Sequence, residues 1–499
     1  MTGFADRFRV RKPIGILASE DKKKIHDAGL QVMESVGVRI HSKIARDSLK
    51  RAGASVDDKT GVVKFPMDLT KSLMSKVPER IVLAGREKEF DLPMDGTHVY
   101  YTTDGCGVTV WDQATRTRRL SVLQDIKDSA TISDWLPYLS IYEPMVVASD
   151  IPQDRHVVTA MKAALEISRK HVLSESTSNA EEAKTQIRMA SEIVGGIEDL
   201  RKRHLVSAMV CTMSPLTLDG HATDAAMAWA EAHVPVHITG MAMMGSSGPA
   251  TIPGDLVVNH AETLALACAM EAHSPGAPAI YGSVLSNMDP RTGAIQLGSP
   301  EALLLCGCAH EMAKYVKMPS SAGGIGSSAK EPGMQSAIEN GMLALLSTFL
   351  GQEVNNGIGL VDCSTVLSYE QMIIDNDIVA RALTCGREIP VNRETLHLDM
   401  IKDVGILGLG PKKGSYLGER ATLAEVREFY QSQVFMSGEP YDRWVAKGKK
   451  NELTLAKEKA DWILKNHKPV MLDRDISRHL DEIVRSSAKE ARKKADEEA

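Results

Sequence analysis

The chain has 499 residues, of which 43% are hydrophobic and 25% are charged, and its formal net charge is -6. This composition is typical of a packed globular protein, and a slightly acidic chain lacks the basic surface that nucleic-acid binding requires. The sequence shows neither a signal peptide nor an apolar stretch long enough to cross a membrane. We therefore expect a cytoplasmic protein that binds neither nucleic acid nor membranes.

Seven cysteines are scattered along the chain, and none belongs to a CxxC pair. An odd number without that spacing predicts reduced thiols, with no disulfide and no structural zinc. The HExxH and HxH spacings are also missing, so the sequence predicts no metal site in this chain.

Residues 1–95 predict a small α+β unit. A helix is expected over residues 21–35, and short strands are expected over 38–41, 62–65 and 81–84. Because a long regular alternation follows this unit, we expect it to cap one end of the main domain.

Residues 96–385 alternate short apolar runs with long segments of helical periodicity, which is the pattern of parallel βαβ units. Eight strands are predicted, beginning at His98, Leu139, His171, Leu205, Pro235, Pro278, Met318 and Gly357. A predicted helix follows each strand, and eight such units predict a closed (β/α)8 TIM barrel. An open doubly wound sheet is the alternative, but it usually has fewer strands and no GxGxxG opens the first helix.

Residues 386–499 predict a C-terminal helical extension. Near its start lies a glycine-rich loop, GILGLGPKKGSYLGE (405–419), and helices are predicted from about residue 423. Two interpretations remain open, since the extension either closes over the barrel mouth or packs on the side of the barrel.

The catalytic groups of a TIM barrel lie where its strands end. Polar residues at the predicted strand ends are Tyr100, Tyr101, Asp104, Tyr142, Glu143, Glu175, His237, Tyr281 and Asp362. Glu143 and Glu175 are the strongest candidates, because a carboxylate inside a barrel is costly unless it is paired or used. A structural pair with an arginine is the competing interpretation. His237 is compatible with a catalytic role and equally with a core histidine bonded to the backbone.

The loop after the seventh predicted strand reads GGIGSS (323–328). Backbone amides at Gly323, Gly324 and Ser327 are candidates for binding an anion, although the GK[ST] ending of a phosphate loop is missing. A simple turn is the alternative. Lys330, in the same loop, keeps Schiff-base chemistry open even though no lysine stands at a strand end.

Four segments carry a specific resemblance: GPATIPGDLVVNHAETLALACAMEAHSPGAPAIYG (248–282), MDPRTG (288–293), GSPEALLLCGCAHEMAKYVKMPS (298–320) and SYEQMIIDNDIVARAL (368–383). They resemble the trimethylamine:corrinoid methyltransferase family, and the similarity extends loosely over residues 10–485. The resemblance implies a barrel that presents a methylated amine to a separate corrinoid protein, whose cobalt takes the methyl group.

Trimethylamine-specific members of that family carry pyrrolysine near the end of the seventh strand. The corresponding region of this chain, GGIGSSAKEPGMQ (323–335), contains only standard amino acids and no pyrrolysine. The chain is therefore similar to the non-pyrrolysine branch, which demethylates quaternary amines such as glycine betaine.

The chemistry of a quaternary amine agrees with that branch, because loss of a methyl group expels a neutral amine that needs no proton from an acid. Aromatic faces and carboxylates recognise such a cation. We therefore expect Glu143, Glu175 and His237 to be catalytic, and the substrate to be bound by Tyr100, Tyr101, Tyr142, Tyr281, Asp362 and, at a betaine carboxylate, GGIGSS, Lys330 and Arg291.

The leading hypothesis is methyl transfer from a quaternary amine, with glycine betaine first, to the Co(I) corrinoid of a partner protein. The partner is needed because this chain lacks a corrinoid-binding motif. A corrinoid-independent lyase or isomerase with Glu143 or Glu175 as base is the alternative, and a non-catalytic betaine-binding protein is the third hypothesis. A homo-oligomer is also expected, because such barrels commonly associate.

Overall fold

A computed structural model describes residues 3–498 except 12, 176–178, 410, 411, 413, 433 and 435–437. For residues 488–498 it describes the course of a helix but not the side chains. No helix within these described ranges is long and apolar enough to cross a membrane.

Eight parallel strands close into a barrel. They are β1 (Tyr100–Tyr101), β2 (Ile141–Tyr142), β3 (His171–Ser174), β4 (Val206–Cys211), β5 (Val236–Gly240), β6 (Ala279–Ser283), β7 (Ser320–Ala322) and β8 (Val354–Asn355). Ladders join β2 through β7 in chain order and β8 to β1. Single bridges from Thr102 to Ile141 and from Gly324 to Asn356 complete the ring. The predicted TIM barrel is confirmed.

The eighth strand lies slightly earlier than the sequence predicted. The prediction began at Gly357, whereas β8 ends at Asn355, and Leu360–Val361 pairs antiparallel with Val366–Leu367 in the following loop. Gly357 and Gly359 have φ values of 112° and 87°. An extended strand cannot continue through this left-handed backbone, so the apolar run GIGLV was a misleading strand signal.

Eight helices surround the strands. They are α1 (Leu123–Trp135), α2 (His156–Ile167), α3 (Ala180–Val194), α4 (Gly220–Glu231), α5 (Ile252–His273), α6 (Pro300–Tyr315), α7 (Met334–Leu350) and α8 (Tyr369–Gly386). Each overlaps a predicted helix. The side chains of Thr251, Ser299 and Ser368 cap α5, α6 and α8 by accepting an amide N–H from the first turn. The N-terminus of each of these helices follows the carboxyl end of a strand. Both lie at the same end of the barrel, which we call the mouth.

The N-terminal segment contacts both the side and the amino end of the barrel. Its helices Ser19–Ser35, Lys43–Ala52 and Met67–Met74 pack against α5, and its strands Val38–Ile40, Ser55–Asp57 and Val62–Lys64 form one sheet with Thr217–Leu218. A hairpin of Ile81–Leu83 and Leu92–Met94 follows, and the carbonyl oxygen of Ala84 lies 3.0 Å from Nδ1 of His171, at the start of β3. The predicted elements are confirmed, and the domain boundary at residue 95 remains a prediction.

The C-terminal residues run along the outside of the barrel. Helix Glu452–Asn466 packs against α8 and α1, and helix Arg474–Glu498 packs against α3 and α2. Three short helices, Leu398–Val404, Arg420–Glu425 and Tyr441–Ala446, precede them. In the predicted glycine-rich loop, residues 410, 411 and 413 lie outside the described residues.

Candidate active site

Three carboxyl groups from successive strands meet at the barrel mouth. Asp104, Glu143 and Glu175 follow β1, β2 and β3, and the two glutamates are only 1% and 7% exposed. Gly105 lies against both of them, since a methyl group there would lie 2.8 Å from Oε1 of Glu143 and 3.0 Å from Cβ of Glu175. The structure thus brings together the two glutamates predicted from the sequence and adds Asp104. We call these three residues the carboxyl cluster.

The surroundings of the carboxyl cluster disfavour the charged form of each of its three groups. Burial raises the pKa of Glu143 well above its usual range, and the neighbouring Asp104 and Glu175 raise it further. Burial also raises the pKa of Asp104 and of Glu175. Among the described residues, Oε2 of Glu143 and Oε2 of Glu175 have no hydrogen-bond partner. Because a buried unpaired carboxylate costs several kcal/mol, the cluster is suited to hold a proton or to bind a cation.

His156, the first residue of α2, contacts the cluster through Glu175. Its Nε2 lies 3.1 Å from Oε1 of Glu175, and its Nδ1 accepts the amide N–H of Ala148 at 3.3 Å. Nε2 makes no hydrogen bond of good geometry within the described part of the chain, so its contact with Glu175 is one of distance alone. Burial raises the pKa of Glu175, and the contact with His156 offsets part of that rise. The pKa of Glu143 is therefore raised further than that of Glu175, and Glu175 is the more readily ionised of the two.

The loops after β7 and β8 border the cluster at Asp104. They enclose a cavity of about 30 Å³ whose lining includes Asp104, Gly323, Gly324, Asn356 and Ser364. Asp362, Cys363 and Ser364 have φ values of 54°, 53° and 67°, a strained conformation for residues other than glycine. Ser364 offsets part of the rise that burial causes in the pKa of Asp104. The cavity is large enough for a water molecule but not for an organic cation.

The hydroxyl groups of the four tyrosines predicted to bind substrate make hydrogen bonds to residues outside the carboxyl cluster. They bond to Pro93 (Tyr100, 3.0 Å), Ala344 (Tyr101, 3.0 Å), Ile126 (Tyr142, 2.9 Å) and Asn259 (Tyr281, 3.2 Å). Successive residues of a strand point to opposite faces, so Tyr101, Tyr142 and Tyr281 extend outward to the helices. Tyr100 extends to the hairpin at the amino end. The directions of these side chains do not support a role in substrate binding, which stays a prediction.

His237 lies inside the barrel, away from the mouth. Its Nε2 is 3.1 Å from Oγ of Ser207, which also lies 2.8 Å from Nε2 of His171 at the start of β3. Burial, together with the nearby His171, lowers the pKa of His237 to about 3. His237 is a fully buried core histidine with a lowered pKa, so its position does not support the catalytic role, which stays a prediction.

The predicted ligands for a betaine carboxylate also lie apart from the cluster. The Arg291 side chain is 87% exposed, and Lys330 and Arg118 both pair with Asp362 at the surface. The side chain of Ser327 donates to Glu339 at 2.7 Å.

The GGIGSS loop does not present the predicted row of free amides. The amides of Gly323 and Ile325 donate to the carbonyl oxygens of Ser283 and Asn356, at 2.6 Å in both cases. Of the residues proposed for that loop, Gly323 and Gly324 do border the cavity beside Asp104. The loop therefore helps to shape the mouth, and anion binding by its amides stays a prediction.

The sequence analysis missed His156 and Gly105, although the position of His156 could have been recognised. His156 lies within an apolar helical pattern, but a histidine in the first turn of a barrel helix is placed at the mouth by the fold. Gly105 follows Asp104 without any feature that distinguishes it from a turn glycine. Its role depends on a close approach to Glu143, which a sequence cannot show.

We expect Gly105→Ala to weaken the binding of a small organic cation such as tetramethylammonium by about tenfold, or ~1.4 kcal/mol. The added methyl group would clash with Oε1 of Glu143 and Cβ of Glu175 and push the carboxyl groups apart. Calorimetric titration measures the change. Gly438→Ala is the matched control, because a methyl group there meets nothing within 4 Å. Equal affinities of the two variants would contradict the predicted role of Gly105.

Comparison with known proteins identifies relatives along nearly the whole chain. The profile of the family described as trimethylamine methyltransferase (MTTB) matches residues 6–492. Trimethylamine methyltransferase MttB of Methanosarcina barkeri (strain Fusaro / DSM 804) is 30% identical over 478 residues, which cover 94% of each chain. Glycine betaine methyltransferase of Desulfitobacterium hafniense (strain Y51) is 25% identical over 477 residues, covering 95% of this chain and 97% of that one.

One solved structure supports the fold. The crystal structure of the monomethylamine methyltransferase (MtmB) of Methanosarcina barkeri has a TM-score of 0.51 with this chain and is 12% identical in sequence. The similarity covers 92% of this chain and 90% of the other. At this level of identity the likeness concerns the architecture, and the function is argued from the site.

Proposed function

The chain belongs to the trimethylamine methyltransferase (MTTB) family, and from this premise we propose that it transfers a methyl group from a quaternary amine to the Co(I) corrinoid of a separate protein. Glycine betaine is the first candidate substrate. The reaction takes place in the cytoplasm, where the seven cysteines stay reduced.

The observation that carries the proposal is the carboxyl cluster. Glu143 and Glu175 are almost fully buried and each has an oxygen without a partner among the described residues. A positively charged ligand would relieve the desolvation and the mutual repulsion of these groups. The ionised Glu175, held by His156, is the group that faces the ammonium of the substrate.

A quaternary amine is preferred over trimethylamine on two grounds. The segment 323–335 contains ordinary residues, whereas the resemblance implies pyrrolysine there in trimethylamine-specific relatives. The amine released from a quaternary substrate is neutral, so the site has to bind, orient and desolvate the cation without supplying a proton to it.

Glycine betaine adds a carboxylate of its own, which an ionised cluster would repel. Glu143 resolves this conflict because its raised pKa keeps it protonated, and a protonated carboxyl group donates a hydrogen bond to a carboxylate. In our proposal Glu175 binds the ammonium and Glu143 binds the carboxylate of the same zwitterion.

The corrinoid partner approaches through the mouth, where apolar side chains surround the cluster. These side chains are 39% to 66% exposed and come from the loops after β1, β2, β4, β5 and β6: Val108, Leu120, Val147, Met213, Met241 and Ile295. We call them the mouth ring. When bound, the corrinoid supplies the nucleophile that accepts the methyl group, while the ring excludes water from the cluster.

The proposal is tested by incubating the protein with a reduced corrinoid protein and a panel of glycine betaine, proline betaine, carnitine and trimethylamine. Formation of methylcobalt, followed by its absorption spectrum, is expected with at least one quaternary amine. Failure with every quaternary amine, while a methyltransferase of known activity works in the same assay, would overturn it.

The second candidate function is a lyase or isomerase that uses Glu143 as general base. The specific observation in its favour is the raised pKa of Glu143, which is also a property of many catalytic bases. Turnover of the amine panel without any corrinoid would establish this function. Amine binding without turnover in either assay would instead support the non-catalytic betaine-binding protein.

We expect Leu120→Glu and Ile295→Glu to raise the KM for the corrinoid protein by about tenfold, which corresponds to ~1.4 kcal/mol. A charge on the mouth ring has to be desolvated when the partner docks. The affinity for glycine betaine, measured by calorimetry, should not change. Val82→Glu is the control, because Val82 is 46% exposed in the hairpin at the opposite end of the barrel. An equal effect of this control would contradict docking at the mouth.

A further inference from the structure

A buried carboxyl group outside the carboxyl cluster lacks partners on both of its oxygens. Asp255 lies in the first turn of α5 and is 0% exposed. Within the described ranges it is the one carboxyl group whose two oxygens are both buried without a hydrogen-bond partner. These oxygens do not cap the helix, because Thr251 accepts the amide N–H of Gly254. Buried polar groups in native proteins are nearly always paired, so Asp255 has the character of a ligand-binding group.

Two further buried oxygens lie beside Asp255. Asn259 follows one turn later on α5, a spacing at which side chains are neighbours. Its Nδ2 donates to the hydroxyl group of Tyr281 on β6 at 3.2 Å, whereas its Oδ1 has no partner among the described residues. Ser283 lies two residues after Tyr281 and therefore faces the same side of β6. Its Oγ is buried and also lacks a partner in that part of the chain.

Two glycines bring the backbone close to these oxygens. Gly240, the last residue of β5, pairs with Ser283, and a methyl group on it would lie 1.8 Å from Oδ1 of Asn259. A methyl group on Gly248, in the loop after β5, would lie 1.7 Å from Oδ1 of Asp255. Only glycine permits such an approach. Asp255, Asn259 and Ser283 thus meet between α5 and the ends of β5 and β6, and we call them the oxygen site.

We propose that the oxygen site binds a monovalent alkali cation, either sodium or potassium. Its side chains offer only oxygen atoms, which are the ligands that hard cations prefer. One carboxylate balances one positive charge, whereas a divalent ion would leave an uncompensated charge in the interior. A water molecule donates at most two hydrogen bonds and leaves the charge of the carboxylate in place. No group of three His, Cys, Asp or Glu side chains in the described residues is suited to a metal ion, which also argues against a transition metal.

The electrostatic surroundings of Asp255 favour a bound cation. Burial, and to a lesser extent the neighbouring Glu262, raise the pKa of Asp255 to about 7. Glu262 offers no compensation, because its oxygens already accept three hydrogen bonds from the loop after β4. The other titratable groups nearby are Tyr281 and Cys306, and burial raises the pKa of both. A cation therefore competes with the proton of Asp255, and its affinity should rise with pH through about 7.

The cation would join the loop after β5 to the wall of the barrel. This loop, residues 241–251, contains Gly248 beside Asp255 and Met241 of the mouth ring. Binding should therefore order the segment that carries Met241. The proposal does not depend on the reaction that the barrel catalyses.

Thermal unfolding of the full chain in different salts tests cation binding. Above the pKa of Asp255 and at constant ionic strength, sodium or potassium chloride should raise the unfolding temperature by about 2 °C relative to Tris chloride. Well below that pKa the difference should disappear. Asp255→Asn should abolish it at every pH, whereas Glu271→Gln, at the other end of α5 and 2% exposed, should retain it.

Hydrogen exchange followed by mass spectrometry locates the effect in the wild-type protein. The better of the two alkali cations should slow exchange in residues 241–254 and leave residues 356–368, in the loop after β8, unchanged. Equal unfolding temperatures of the wild-type protein in all three salts would overturn the proposal. So would a cation effect that Asp255→Asn retains, a larger effect of calcium than of either alkali cation, or unchanged exchange in residues 241–254.

Discussion

Glu175→Gln is expected to weaken the binding of glycine betaine by about a hundredfold. Removing the charged partner of a buried cation costs ~3 kcal/mol, and 1.4 kcal/mol is a factor of ten in affinity. Glu175 is the member of the cluster that we propose to be ionised, because His156, whose Nε2 lies 3.1 Å from its carboxylate, offsets part of the rise in its pKa. Calorimetric titration of both proteins with glycine betaine and with tetramethylammonium measures the effect, and both ligands should lose affinity.

The stability of the same variant should change in the opposite direction. In the free protein, Glu175 contributes to the repulsion within the cluster, so the amide should unfold at the same or a higher temperature. If the variant binds more weakly but is as stable as the wild-type protein, the weaker binding is due to a lost ligand contact and not to a damaged fold.

A matched control for Glu175 is available on α5. Glu271 is a glutamate of 2% exposure, one of whose oxygens has no partner among the residues that the structure describes, and it lies outside the mouth. Glu271→Gln should leave the affinity for both cations unchanged. If Glu175→Gln and Glu271→Gln bind glycine betaine equally well, the carboxyl cluster is not the binding site.

The barrel could be predicted from the sequence because the same alternation of strand and helix occurs eight times. Eight alternations of strand and helix support one another, so the misplacement of β8 did not alter the architecture. Helix caps such as Ser299 and Ser368 are local features that a sequence displays directly. The side-chain period of a strand is two, however, and strands of two residues such as β1 and β2 are too short to fix which residue faces inward.

The candidate site was predictable only in part for the same reason. Glu143 and Glu175 were identified because buried acids at strand ends are rare without a function. The side chain of Tyr142, next to Glu143, points to the helices because one position along the strand reverses its facing. His156 and Gly105 depend on contacts between separate loops, and the distances that give them importance arise only when the barrel closes.

The pH dependence of binding should distinguish the roles of the two glutamates. Tetramethylammonium has no carboxylate, so its binding favours an ionised Glu143 and releases a proton. Its affinity should rise by up to about tenfold per pH unit below the raised pKa of Glu143 in the free protein. Glycine betaine needs the proton of Glu143 for its own carboxylate, so its affinity should fall as the pH rises through that pKa.

Glu143→Gln removes the titrating group but keeps a hydrogen-bond donor. Its affinity for glycine betaine should stay within severalfold of the wild-type value at low pH. The change of affinity with pH that is due to Glu143 should disappear for both ligands. Parallel pH profiles of the two ligands in the wild-type protein would contradict the assignment of Glu143 to the substrate carboxylate.

Stability gives an independent test of the protonated Glu143. A carboxyl group whose pKa is raised by folding contributes stability that is fully present below its ordinary value of 4.5 and is lost as the pH rises through the raised pKa. The free energy of unfolding of the wild-type protein, taken relative to Glu143→Gln, should therefore fall across that window. A bound cation relieves the repulsion between the carboxyl groups. Saturating tetramethylammonium should therefore reduce the decrease in the free energy of unfolding with pH. A difference that does not change with pH would show that Glu143 is already ionised, and glycine betaine would then need another donor for its carboxylate.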